Sequence, residues 1–120
     1  MIVADLDFCK LQFYQNYVIL IIAESTVVCS KKATLIRKVL TDHFKTEPFI
    51  MINYKKNKHS ILPEVYKKGQ LKNMKGLAIV SNCEKEREQA LLDQQHFHKS
   101  FTFFQDIKAA KSWASSYFWS

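Results

Sequence analysis

The longest unbroken apolar run, Tyr17 to Ala23, holds seven residues. It is apolar at odd and even positions alike, which predicts a central strand covered on both faces, and it is too short to cross a bilayer. The preceding "DFCKLQFY" alternates imperfectly, with Gln15 and Asn16 separating the two runs. Two antiparallel strands joined by a tight turn are expected there. After "STVVC" the period changes. Ala33, Ile36, Leu40 and Phe44 recur at spacings of three and four, the stripe of a helix over 31–44 that faces a core, with Ser30 as its N-cap.

Pro48 closes the next connection, and "FIMIN", Phe49 to Asn53, reads as a short buried strand. Pro63 sits where a helix can begin, so "PEVYKKG" predicts a brief helix closed by Gly69. "GLAIVS" is the next buried strand. Ser81 and Glu84 have capping-box spacing ahead of "CEKEREQALLDQQHF", whose inward side is expected to carry Arg87, Ala90, Leu91, Gln94 and Phe97. "SFTFF" reads as a last strand and "DIKAAKSWASSYF" as a helix capped by Asp106, with Ile107, Ala110, Trp113, Ala114 and Tyr117 or Phe118 facing inward.

The predicted order is β-β-α-β-α-β-α-β-α. Helical crossovers between strands favour right-handed parallel connections, while the first hairpin is antiparallel. This gives an α/β fold, a mixed sheet of about five strands with helices packed on it, and at 120 residues a single domain over 1–120. No internal repeat or linker interrupts it. Apolar residues make up 48% of the chain and charged ones 24%, the balance of a packed chain and not of a disordered one.

Charge changes the picture locally. The net charge is +7, and residues 54–75 hold seven lysines against Glu64 alone, a local +6. Within that stretch Lys55, Lys56 and Lys58 flank Asn57, His59 and Ser60 just before the helix at Pro63, which makes an anion or partner site from Tyr54 to Tyr66 the leading candidate. Nucleic acid fits poorly, since Tyr54 and Tyr66 are the nearby aromatics and no helix-turn-helix, RNP-like or zinc-finger spacing is visible. An integral membrane role has no segment to serve it. Clustered lysines keep a peripheral contact with anionic lipid open, without a basic amphipathic helix or lipidation motif to strengthen it.

The remaining candidates are weaker. Asp5 and Asp7 stand where a secretory signal carries positive charge, so a cytoplasmic location is expected. Cys9, Cys29 and Cys83 are far apart and odd in number, which suits buried free thiols. Cys83 at a helix start has three nearby glutamates and reads as packing. His96 and His98, two apart with no further ligand beside them, read as a surface pair and not a metal site. No Gly-rich phosphate loop, nucleophile elbow or H-E-x-x-H is present, so neither catalysis nor a cofactor is expected. "SSYFWS" carries more large apolar groups than one helix face hides, so Phe118 and Trp119 are candidate dimer contacts.

Across nearly its whole length the chain resembles the SpoIIAA-like fold, in particular small stand-alone bacterial domains described as STAS/SEC14-like. The resemblance rests on "FYQNYVILIIAES", "EPFIMINYKKNKHSILPEVYK", "LKNMKGLAIVSNCEKEREQALLDQQHF" and "FTFFQDIKAAKSWASSYF". In such relatives the third-strand loop looks like Asn-Arg-x-Asn-Ser-Tyr-Ser-x-Asp-Pro, followed by a Tyr in the next helix. Asn57, Ser60, Pro63 and Tyr66 fit it; Lys55 stands for Arg, His59 for Tyr, Tyr54 for the first Asn and Leu62 for the acidic residue. In the anti-sigma-factor antagonists of this fold a serine in that loop is phosphorylated and the loop binds a kinase. The resemblance makes Ser60 its nearest counterpart, although the Asp-Ser-x-Gly surroundings are absent. What it implies is a non-enzymatic interaction or regulatory module docking a protein partner through 54–66. The alternative is a carrier of a small anionic or lipid-like molecule held between sheet and helices.

Overall fold

The computed structural model describes residues 2–67, 71–97 and 99–119, with the side chains of Tyr66, Lys67 and Trp119 outside that description. Strand β1 (Ile2–Leu6) turns at Asp7 and Phe8 into β2 (Cys9–Phe13), which turns at Gln15 and Asn16 into β3 (Tyr17–Ile22). A short strand β4 (Val27–Val28) precedes helix α1 (Ser30–Phe44), and β5 (Phe49–Tyr54) follows. Then come β6 (Ser60–Ile61), the five-residue α2 (Pro63–Lys67), β7 (Met74–Val80), α3 (Glu84–Gln94), β8 (Ser100–Phe104) and α4 (Ile107–Ser116), which ends in a 3-10 turn. Closure of α2 at Gly69 lies outside the described residues.

The main sheet runs β1-β2-β3-β5-β7-β8, antiparallel in its first two pairings and parallel in the rest, and β4 with β6 forms a separate parallel pair. The expected hairpin and parallel crossovers are present; β1 and the small β4–β6 pair are additions to the expected strands. Val18, Leu20 and Ile22 of β3 point to one core with Phe49, Leu77 and Ile79, closed by the α1 stripe Ala33, Ile36, Leu40 and Phe44 and by Ala90 of α3. Tyr17 and Ile19 point to the other with Ile50, Ile52, Ala78 and Val80, closed by Ala110 and Ala114 of α4. Helices thus cover both faces, which is why β3 and β5 have no polar parity through most of their length.

Four sequence expectations need correction. Helix α1 takes Cys29, not Ser30, as N-cap, and α3 takes Cys83, so Ser81 and Glu84 form no capping box; the Ser81 hydroxyl instead accepts from the Cys83 N–H at 3.1 Å. Asp106 does cap α4, accepting from the Lys108 N–H. Helix α3 is turned about its axis: Glu86, Ala90, Asp93 and Phe97 face inward, while Leu91 and Leu92 are each 59% exposed and Arg87 and Gln94 are exposed. Nor are all three cysteines buried. Cys9 is, and burial reinforced by Asp5 pushes its thiol up to about 11, but Cys29 is half-buried and Cys83 exposed. The backbone N–H groups at the start of α1, that of Lys32 foremost, hold the Cys29 thiol below its usual range.

Gly76 shows how tightly β5, β7 and β8 are packed. A Cβ there would stand 2.9 Å from Ile50 Cδ1 and 3.3 Å from both Cβ and O of Ser100. Gly76→Ala is expected to lower stability by about 1–3 kcal/mol. Adding Ile50→Val, which removes that Cδ1, should recover part of the loss, as a shift in the urea midpoint will show.

Candidate functional site

The segment after β5 begins at the carboxyl ends of the parallel strands, and backbone hydrogen bonds fasten it. Lys55 N–H donates to Val80 O, Ser25 N–H to Lys58 O at 2.7 Å, Ser60 N–H to Thr26 O and Leu62 N–H to Val28 O. Ser25 adopts a positive φ of 63°, within the turn that presents its N–H to Lys58. The Asn57 side chain donates to Ile22 O at 3.1 Å, tying the loop to the end of β3. This stretch is a braced edge, not a loose loop.

Its side chains divide into braced and solvent-facing ones. Lys55 turns inward: its Nζ meets Glu86 Oε2 at 2.8 Å, with side chains only 7% and 21% exposed. His59 is half-buried, and its Nδ1 lies 3.0 Å from Asn57 O. Because a carbonyl only accepts, Nδ1 carries the proton, and Nε2 is a buried acceptor without a partner among the described residues. Lys56, Lys58 and Ser60 are exposed, Lys56 lying 5.5 Å above the Tyr54 ring. Tyr54 itself packs against the α4 core. The described backbone of Tyr66 lies in α2.

An open cleft of about 410 Å³ separates this edge from α3, lined by Lys55, His59, Ser60, Lys85, Glu86, Gln89 and Asp93 among others. Asp93 is buried and accepts from Gln89 Nε2 at 2.9 Å. Burial, reinforced by Lys55, pushes the His59 imidazole below its usual range; the Asn57 carbonyl and Glu86 pull the other way. A histidine depressed in the folded state favours folding above its unfolded pKa of about 6.5, and that advantage is lost as pH falls toward the folded value. Thermal unfolding between about pH 7 and pH 5 is therefore expected to show a larger loss for the wild type than for His59→Asn.

The lysines do not form one patch. Lys55, Lys56 and Lys58 follow the carboxyl end of β5, whereas Lys72 and Lys75 sit at the amino end of β7, which runs parallel to β5. Six residues of strand separate the two groups by about 20 Å. Lys85, Glu86, Gln89 and Asp93 were missed from sequence. Their signal was present as a polar i, i+3, i+7 series, Glu86, Gln89 and Asp93, on the helix facing the loop.

Elsewhere, an apolar hollow of about 70 Å³ lies between the sheet and α1, lined by residues that include Leu20, Ile36, Leu40, Met51 and Leu77. Pockets that hold drug-sized ligands run to about 300–1,000 Å³. Among the described residues no three His, Cys, Asp or Glu side chains converge as a metal would require, and no helix is long and apolar enough to cross a membrane. His96 is half-buried; His98 lies outside the described residues. Phe118 packs partly buried against the α4 core instead of standing free, and the Trp119 side chain lies outside the description.

No family model and no curated protein matches the chain. Among solved structures it is similar to an uncharacterised protein of the DUF3478 family with a SpoIIAA-like fold from Shewanella loihica, at 13% identity and a TM-score of 0.60, covering 88% of this chain and 91% of that one. The likeness bears out the fold inferred from the residues.

Proposed function

We propose that this chain of SpoIIAA-like fold is a regulatory binding module, without turnover chemistry of its own, that docks a protein partner through the outward residues Lys56, Lys58 and Ser60 of the 54–66 segment. The observation carrying this reading is the division within that segment. Lys55 is held by Glu86 and Asn57 by the Ile22 carbonyl, while Lys56, Lys58 and Ser60 are exposed on a backbone that is already fixed. A preorganised edge binds with little loss of chain entropy. A compact acidic surface on a protein suits two neighbouring ammonium groups. A nucleic-acid backbone or lipid surface would draw on a broader field, and Lys72 and Lys75 lie at the other end of the sheet. The location proposed is cytoplasmic.

Phosphorylation of Ser60 would add about −1.5 to −2 charge. Against the local +6 of the sequence that is a modest change, but against Lys56 and Lys58 alone it comes close to neutralising the rim. The phosphate would sit on β6, held by the Ser60 N–H to Thr26 O bond, so the modification would change charge without needing to move the backbone.

The test is an affinity capture from native cell extract, comparing wild type with Lys56→Glu/Lys58→Glu and with Ser60→Glu. One specific protein is expected with the wild type and at least about tenfold less with each variant, while thermal stability stays within about 0.5 kcal/mol of wild type. Equal capture by all three forms would refute the docking edge. Lys55 is left intact in this experiment because changing it would disturb the buried ion pair.

A further inference from the structure

The main sheet has β1 and β8 as its edges, and the hydrogen-bond parity of the ladder decides which groups of β1 face outward. Ala23 N–H donates to Phe8 O at 2.8 Å and Tyr14 N–H to Tyr17 O at 2.9 Å. Even-numbered residues around β2 therefore bond toward β3, and the odd ones, Cys9, Leu11 and Phe13, bond toward β1. Their partners there are Leu6, Ala4 and Ile2. Val3 and Asp5 consequently direct their N–H and C=O groups away from the sheet. This edge has no Lys, Pro or bulge to guard it, and Ile2 and Val3 are 62% and 44% exposed.

We infer that β1 pairs antiparallel with β1 of a second copy of this chain, about a two-fold axis through Ala4, joining the two sheets edge to edge. The strand is self-complementary in that register. Val3 meets Asp5 of the second copy on both sides of the axis, and each of these pairs exchanges both of its ladder hydrogen bonds. Ala4 meets Ala4 as a close, non-hydrogen-bonded pair, and Ile2 meets Leu6 on the face where Ala4 and Leu6 already pack against the core. The exposed Ile2 side chain is thereby covered. Of the other registers with the same parity, one centred on Asp5 sets two carboxylates opposite each other, and one centred on Val3 shortens the overlap. This surface is separate from the docking edge proposed above, and neither inference depends on the other.

The experiment combines sedimentation equilibrium of the full chain with cysteine cross-linking. Cα atoms of a non-hydrogen-bonded antiparallel pair lie about 4.5 Å apart, within reach of a disulfide. In a background carrying Cys29→Ser and Cys83→Ser, Ala4→Cys is expected to give a disulfide-linked dimer on mild oxidation, and Val3→Cys is not, because Val3 faces Asp5. Val3→Glu, which opposes Asp5, should weaken association at least about tenfold. Val3→Glu with Asp5→Lys should restore it, circular dichroism confirming that both are folded. A wild-type chain that stays monomeric at high micromolar concentration, or Val3→Cys cross-linking as fast as Ala4→Cys, would overturn the pairing.

Discussion

Phe49→Ala is expected to lower stability by about 3–5 kcal/mol. Phe49 is fully buried at the start of β5, and its ring lies flat against Phe44 with centroids 4.2 Å apart and planes 2° apart. Truncation would open a cavity between β5 and the end of α1, where the backbone is held on one side by the Phe49 N–H to Asn73 O bond and cannot readily collapse. Against a total stability of about 5–15 kcal/mol this is a large fraction. The midpoint of thermal unfolding should fall by on the order of 10–20 °C. Leu91→Ala is the control: a side chain 59% exposed on α3 should change stability by no more than about 0.5 kcal/mol. A large loss at Leu91 would mean that α3 faces the core as the apolar pattern suggested.

Glu86→Ala is the second large effect. It leaves the Lys55 ammonium, whose side chain is 7% exposed, without its carboxylate. Removing one partner of a buried ion pair costs about 3–5 kcal/mol, and the partial exposure of Glu86 places this case nearer about 2 kcal/mol. The loss comes from stranding a charge more than from losing an attraction, so Lys55→Met combined with Glu86→Leu should return to within about 1 kcal/mol of wild type. Chemical denaturation of the two singles and the double separates these contributions. If Glu86→Ala proved neutral, Lys55 would be free to turn outward and join Lys56 and Lys58 on the rim.

These two positions also show what the sequence made legible. Phe49 to Asn53 could be recognised as a buried strand because a two-sided environment leaves an apolar run with no polar parity, and the α1 stripe could be placed because Ala33, Ile36, Leu40 and Phe44 keep helical spacing. Helix α3 could not be phased that way. Its inward face carries Glu86 and Asp93, whose burial depends on Lys55 and Gln89, and a hydrophobic pattern counts such residues as exposed. Leu91 then drew the expected face toward itself. Strand β1 was missed because Val3, apolar yet exposed, blurs its alternation and the turn at Asp7 and Phe8 lacks the Gly or Asn that marks most tight hairpins.

The candidate segment was found from sequence, but its internal division was not. Counting lysines gave a local +6, and only the parallel pairing of β5 with β7 shows that the lysines at 72 and 75 lie at the opposite end of the strands. Likewise Asn57 and His59 read as ligand-binding types, yet Asn57 braces the loop against Ile22 and His59 leans on the Asn57 carbonyl. The Asn57 assignment depends on a contact between residues 35 apart in the chain, beyond the reach of any local spacing rule.

Residues 57–62 form a fixed edge before any partner arrives, and amide hydrogen exchange of the free protein reads that out residue by residue. The amides of Ser25, Ser60 and Leu62, which donate to Lys58, Thr26 and Val28, should exchange far more slowly than those of Lys58 and His59. Exchange of all five at the rate of an unstructured chain would contradict it.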